Sequence, residues 1–158
     1  MSTLRMFVTL VSLAVLTALT GCRAVEVRQP VPTLVGDALR VEHAWIRPAG
    51  AGGNSALYLT LMNLTDQPER LLRVETPVAA SAELHETQND NGMMRMRPLV
   101  NGLEIPANQG AELRPGGKHV MLLNVAAPLT AGQAVEVTLI LEQAGRVTLV
   151  VPVAEDTP

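Results

Sequence analysis

Ala134–Leu141 (AVEVTLIL) and Arg146–Val153 (RVTLVVPV), separated by Gln143-Ala144-Gly145, decide the fold class. Both segments are short and rich in β-branched residues, and a turn sequence lies between them. This is the signature of a β-hairpin. Apolar residues fall on both faces of Val135–Leu141 and Val147–Val151, so the hairpin is predicted to be buried.

The same texture extends upstream. No window shows apolar residues recurring at i, i+3, i+4 and i+7, and no long helix is expected. Further strands are predicted at Leu39–Ile46, Ala56–Asn63, Arg70–Glu75, Ala82–Thr87, Met93–Leu99, Ala111–Arg114 and His119–Val125. Turn residues separate them, among them Gly50-Ala51-Gly52-Gly53, Thr65-Asp66-Gln67-Pro68, Gln88-Asn89-Asp90-Asn91-Gly92 and Pro115-Gly116-Gly117. Many short strands at this spacing predict an all-β sandwich or small barrel of Greek-key type.

The 158 residues suffice for one domain. Hydrophobic residues make up 47% of the chain but aromatic residues only 2%, so the core must be aliphatic. A formal charge of −3 gives no basic stripe for phosphates, and nucleic-acid binding is not expected.

Residues 1–21 read as a leader. Arg5 is followed by an apolar run, Phe7 to Leu19, that is too short to span a bilayer of about 30 Å. Leu19-Thr20-Gly21-Cys22 resembles the bacterial lipobox, which implies cleavage before Cys22 and a lipid on its thiol. Cys22 is the sole cysteine, so no internal disulfide can form. Arg23 follows it instead of Asp, which by resemblance to the enteric sorting rule favours the outer membrane. Residues 22–36, with Pro30 and Pro32, read as a lipidated tether. Residues 37–154 are the folded domain, expected to act as a monomer.

Chemistry concentrates in a few side chains. His119-Val120-Met121 places an imidazole and a thioether on one face of a strand. Met94 and Met96 share a face in the same way. His85 and Met96 flank the turn at residues 88–92, so pairing their strands is predicted to fold the two towards each other. Three strands then deliver His85, Met96, His119 and Met121 to one corner.

Thioether sulfur is neutral and soft, and with imidazole it selects Cu(I) over Zn, Mn, Mg or Ca. A blue-copper centre needs a cysteine thiolate, and the one cysteine is used at the leader. No catalytic triad, cysteine nucleophile or carboxylate pair is recognisable, so an enzyme is not expected.

The stretch His85 to Met121 resembles the periplasmic copper chaperones written PCu(A)C, whose signature is His, ten residues, Met, about twenty-one residues, then His-x-Met. His85 and Met96 enclose ten residues, while Met96 and His119 enclose 22, one more than usual, around Val100-Asn101-Gly102. Glu86 stands where some members carry a further Met. Ala44-Trp45-Ile46-Arg47-Pro48, Ala82-Glu83-Leu84-His85-Glu86 and Gly102-Leu103-Glu104-Ile105-Pro106 resemble family blocks in the family's order.

The resemblance implies a cupredoxin-like Greek-key sandwich that binds one Cu(I). It also implies delivery to a copper acceptor, a cytochrome c oxidase subunit or a Sco-type thiol protein, during assembly of the oxidase copper centre. The residues themselves leave open an envelope copper-buffering protein or a β-sandwich binding module without metal. His43 has no soft partner nearby and reads as structural. Trp45 reads first as core filling, while the resemblance to members that keep an aromatic near copper offers it as a cover for the site. Arg95, Arg97 and Lys118 are candidates for steering an acidic partner.

Overall fold

The computed structural model describes residues 33–35 and 37–155. The leader, Cys22 and most of the expected tether lie outside them. Eleven strands make up the regular structure among the described residues: β1 (Thr33–Val35), β2 (Leu39–Ile46), β3 (Ser55–Asn63), β4 (Glu69–Glu75), β5 (Ala79–Asp90), β6 (Met93–Pro98), β7 (Leu103–Ile105), β8 (Gly110–Leu113), β9 (Lys118–Val125), β10 (Ala134–Leu141) and β11 (Arg146–Pro152).

They form two antiparallel sheets. The larger runs β1-β2-β3-β9-β5-β6, with β8 also pairing with β3, and the smaller runs β11-β10-β4-β7. The architecture is an all-β, cupredoxin-like sandwich. Its core lies between the sheets and is aliphatic. Leu57, Leu59, Leu61, Val120 and Leu122 come from the larger sheet, and Leu71, Ile105, Val137, Leu139 and Val151 from the smaller.

Strand parity explains which residues meet in that core, because alternate side chains point to opposite faces. Along β3, Leu57, Leu59 and Leu61 face inward, leaving Ala56 and Tyr58 on the outer face. One irregularity changes the parity of β2. Between the pairs Glu42↔Thr60 and Trp45↔Tyr58, two residues of β2 face one of β3, a β-bulge in which His43 takes a φ of 51°. The bulge turns Trp45 to the outer face and Ile46 to the core, the reverse of what unbroken alternation from Leu39 and Val41 would give.

The β10–β11 hairpin forms with the expected strands, but apart from Ile140 only its core-facing side is buried. Glu136, Val150 and the Thr138–Thr148 pair lie on the solvent side of the smaller sheet, so the expectation of burial on both faces is corrected. Val150 is an exposed apolar residue on that side. Two short strands were not expected. β1 pairs Thr33 with Val41 and Val35 with Leu39, inside the stretch read as tether. β7 pairs with β4 through Leu103↔Leu71. Gly102 allows that close approach, since its φ is 75° and a Cβ there would collide with the backbone carbonyl of Leu71.

The turn between β5 and β6 matters most for the site. It has two residues, Asn91 and Gly92, with φ of 52° and 88°, as a type I′ hairpin requires. The strands therefore run to Asp90 and resume at Met93, and the hairpin is longer than the five-residue turn expected at 88–92.

Candidate metal centre

The outer face of the larger sheet carries the candidate ligands. His85 on β5 lies directly opposite His119 on β9, and their ring centroids are 6.1 Å apart. Residues paired across antiparallel strands point to the same side, and here that side is away from the core, because the intervening Leu84 and Val120 are in it. Met121, two residues beyond His119 and opposite Glu83, shares the outer face.

Met96 does not pair with His85. It stands opposite Thr87, and Pro98 stands opposite His85, so Met96 is a diagonal neighbour one row towards the hairpin tip. Residues 85 and 96 are thus folded towards each other on one face, in neighbouring rows, with the register set by the short Asn91-Gly92 turn. The result is a central row of two imidazoles with one thioether row on each side: Met121 on one flank and Met96 on the other. The rows are about 7 Å apart along the strands.

Hydrogen bonding fixes the tautomers of both rings. His119 Nδ1 lies 3.1 Å from the carbonyl oxygen of Gly117. A carbonyl only accepts, so this nitrogen carries the proton and Nε2 keeps its lone pair. His85 Nε2 lies 3.0 Å from Glu83 Oε2, and by the same reasoning donates to it. That leaves His85 Nδ1 with the lone pair, and this atom is buried without any hydrogen-bond partner. A buried, unsatisfied polar atom costs about 1–3 kcal/mol, which a bound ligand would recover. Each ring thus presents one free donor, while its other nitrogen is anchored as a metal-ligating histidine requires.

The central row continues sideways as aromatic packing. Tyr58 is 6.4 Å from the His119 ring, and Trp45 is 4.6 Å from Tyr58, all distances between ring centroids. Trp45, Ala56 and Tyr58 form a small apolar cluster separate from the main core. Trp45 is buried, as core filling would be, but it walls the outer face next to Tyr58, which packs beside His119. Together with Tyr58 it screens that imidazole, which is only 6% exposed. Sequence reading had no means of finding Tyr58, whose role depends on the register of β3 against β9.

His43 is exposed at the bulge and lies with Trp45, Tyr58 and Arg114 around a recess of about 220 Å³, apart from the imidazole row. Arg95, Arg97 and Lys118 share the opposite face of the sheet from the candidate ligands by parity. Arg97 and Lys118 both stand opposite Glu86, and Arg95 pairs with Asp90 at 3.4 Å. The charged side chain adjoining the imidazole row on its own face is instead Glu83.

Among the described residues, no group of three or more His, Cys, Asp or Glu side chains is arranged to hold an ion. The donors gathered on the outer face are two imidazoles and two thioethers, a soft and uncharged set. Such a set suits a monovalent, polarisable ion and disfavours hard divalent cations.

A family model described as "Putative lipoprotein LpqE-like" matches residues 39–153. The "Putative lipoprotein Lxx21020" of Leifsonia xyli subsp. xyli is 34% identical over 143 residues, covering 90% of this chain and 86% of that protein. Among solved structures, the copper-bound PCuAC domain from PmoF2 superposes with a TM-score of 0.65 at 28% identity, over 80% of this chain and 99% of the domain. The Cu(I) form of DR1885 from Deinococcus radiodurans gives 0.57 at 31% identity, over 72% of this chain and 77% of that one.

Proposed function

The chain belongs to the LpqE-like lipoprotein family, and from that premise we propose that it is a copper chaperone of the cell envelope, carrying one Cu(I) on His85, Met96, His119 and Met121. The observation that carries this reading is the imidazole row with two free nitrogen lone pairs, one buried and unpartnered, flanked by thioethers on both sides. Solved PCuAC domains of the same fold, one copper-bound and one a Cu(I) form, support it.

The ligand set suits a carrier. None of the four ligands is anionic, so the complex keeps the ion's positive charge and binds it less firmly than thiolates would. Burial differs across the site: His119 is enclosed, whereas Met96 is 56% exposed. An incoming ligand from an acceptor meets Met96 first, and stepwise exchange then draws the ion off the imidazoles. A dithiol acceptor of Sco type, or a cytochrome c oxidase subunit receiving its copper centre, has the stronger donors needed to make that exchange downhill. A lipid on Cys22 would hold the carrier on the periplasmic side of a bacterial membrane, by its Arg23 the outer one.

Anaerobic titration against a chromogenic Cu(I) chelator tests the assignment. One ion per chain is expected, along with a rise in melting temperature, because a ligand that binds only the folded state must stabilise it. The variant carrying His85→Ala, Met96→Ala, His119→Ala and Met121→Ala together should lose both effects. Undiminished copper binding by that variant would rule the four residues out.

A further inference from the structure

β6 is the edge strand of the larger sheet, and all six of its residues are exposed. Three of them are methionines: Met93 at 58%, Met94 at 61% and Met96 at 56%. Methionine normally fills gaps in cores, and leaving one in water forgoes roughly 1.5–3 kcal/mol of burial. Met96 is accounted for by the proposed site. Met93 and Met94 are not.

Parity separates these two. Met94 lies two residues from Met96 and projects from the same face, the one that carries His85 and His119. Met93 projects from the opposite face, with Arg95 and Arg97. Residues two apart on one strand face are about 7 Å apart at Cα, within the combined reach of two unbranched thioether side chains, so one ion can contact both sulfurs. Met94 stands opposite Asn89, whose Oδ1 accepts the Gly92 N–H at 2.7 Å. That oxygen is committed to the hairpin turn, leaving sulfur as the soft donor on the outermost row of this face.

We propose that Met94 is a transit ligand, a second thioether one row beyond Met96 that receives Cu(I) as it leaves the two histidines. The inference rests on the copper-carrier reading. The step is ligand exchange alone: a copper–sulfur bond to Met94 forms as the bonds to Met121 and to the two imidazole nitrogens break. The ion remains monovalent, and neither an electron nor a proton is transferred. An ion held between Met96 and Met94 sits at the solvated end of the hairpin, where an acceptor can reach it, and is weakly held there. Met94 therefore lowers the barrier to departure without adding to the affinity of the resting site.

Stopped-flow transfer of Cu(I) from the loaded protein to a chromogenic chelator tests this, comparing the parent with Met94→Leu and Met93→Leu. Leucine keeps the apolar volume and removes the sulfur, and both positions are exposed, so the fold is not at issue. Met94→Leu should slow transfer about tenfold, equivalent to about 1.4 kcal/mol of barrier, with equilibrium affinity unchanged, while Met93→Leu should match the parent. Parent-like transfer by Met94→Leu overturns the proposal. Equal slowing by Met93→Leu also overturns it, by assigning the effect to the apolar edge instead of a sulfur on the site face. A fall in equilibrium affinity in Met94→Leu would make that residue a resident ligand and not a transit one. A parent protein that takes up no Cu(I) overturns the carrier reading itself.

Discussion

His119→Ala is expected to weaken Cu(I) binding by on the order of 100-fold or more, since removing even the residues that merely orient a metal ligand costs about 10–100-fold. Three features single out this side chain. It is the least exposed of the four candidates, its Nδ1–H is anchored on the Gly117 carbonyl, and Tyr58 packs beside it. The Nε2 lone pair is thereby aimed before any ion arrives, and little ordering remains to oppose binding. Met96, exposed and one row away, has more freedom to lose, so Met96→Leu should cost less than His119→Ala. Competition titration of the two variants provides the ranking. A larger loss from Met96→Leu would mean that the exposed thioether, and not the anchored imidazole, dominates the site.

The largest effect on stability is expected at Glu69, far from the copper chemistry. Its carboxylate is buried and accepts three backbone N–H groups: Arg70 at 2.7 Å, Gln143 at 2.9 Å and Ala144 at 2.8 Å. It ties the β10–β11 turn to the start of β4, beside a cleft of about 460 Å³ that no candidate ligand lines. Glu69→Ala leaves those donors unpaired and should cost roughly 2–4 kcal/mol, because hydrogen bonds to a charged group are worth about 1.5–3 kcal/mol each and water can reach part of the site. The loss should appear as a lower urea midpoint with an unchanged slope. Glu69→Gln, which keeps one acceptor oxygen, should fall between. Since Glu69 lies on the other sheet and shares no partner with the imidazole row, copper affinity should stay at the parent value. A parallel loss of copper binding would show that the two sheets are coupled through the core.

Much of this arrangement was legible in the residues, and the failures have physical causes. β2 and β10 begin and end where the apolar runs and the turn residues around them put them, Leu39–Ile46 and Ala134–Leu141, although neither shows unbroken alternation. β7, with three residues, is too short for any period to appear, and Leu103 and Ile105 declare themselves only by packing against β4. The β5–β6 hairpin is longer than expected because Gln88, Asn89 and Asp90 resemble a loop in sequence. They are polar because that end of the hairpin is solvated, and the Asn91-Gly92 pair was the sharper turn signal.

The two-residue turn also sets the register, with Thr87 opposite Met96 and Pro98 opposite His85, so residues 85 and 96 share a face one row apart. His119 and Met121 needed only the period of two and were readable directly. The alignment of His85 with His119 was not, because it depends on β5 pairing with β9, a contact between segments far apart in sequence. The bulge at His43 left no trace in the hydrophobic pattern, yet it decides that Trp45 walls the outer face instead of filling the core.

X-ray absorption at the copper edge of the anaerobically loaded protein examines the ligands themselves. A monovalent edge with two sulfur and two nitrogen scatterers is expected, falling to one sulfur in Met121→Leu. A first shell of nitrogen and oxygen alone, unchanged by that substitution, would mean that the thioethers flanking the imidazole row do not hold the ion.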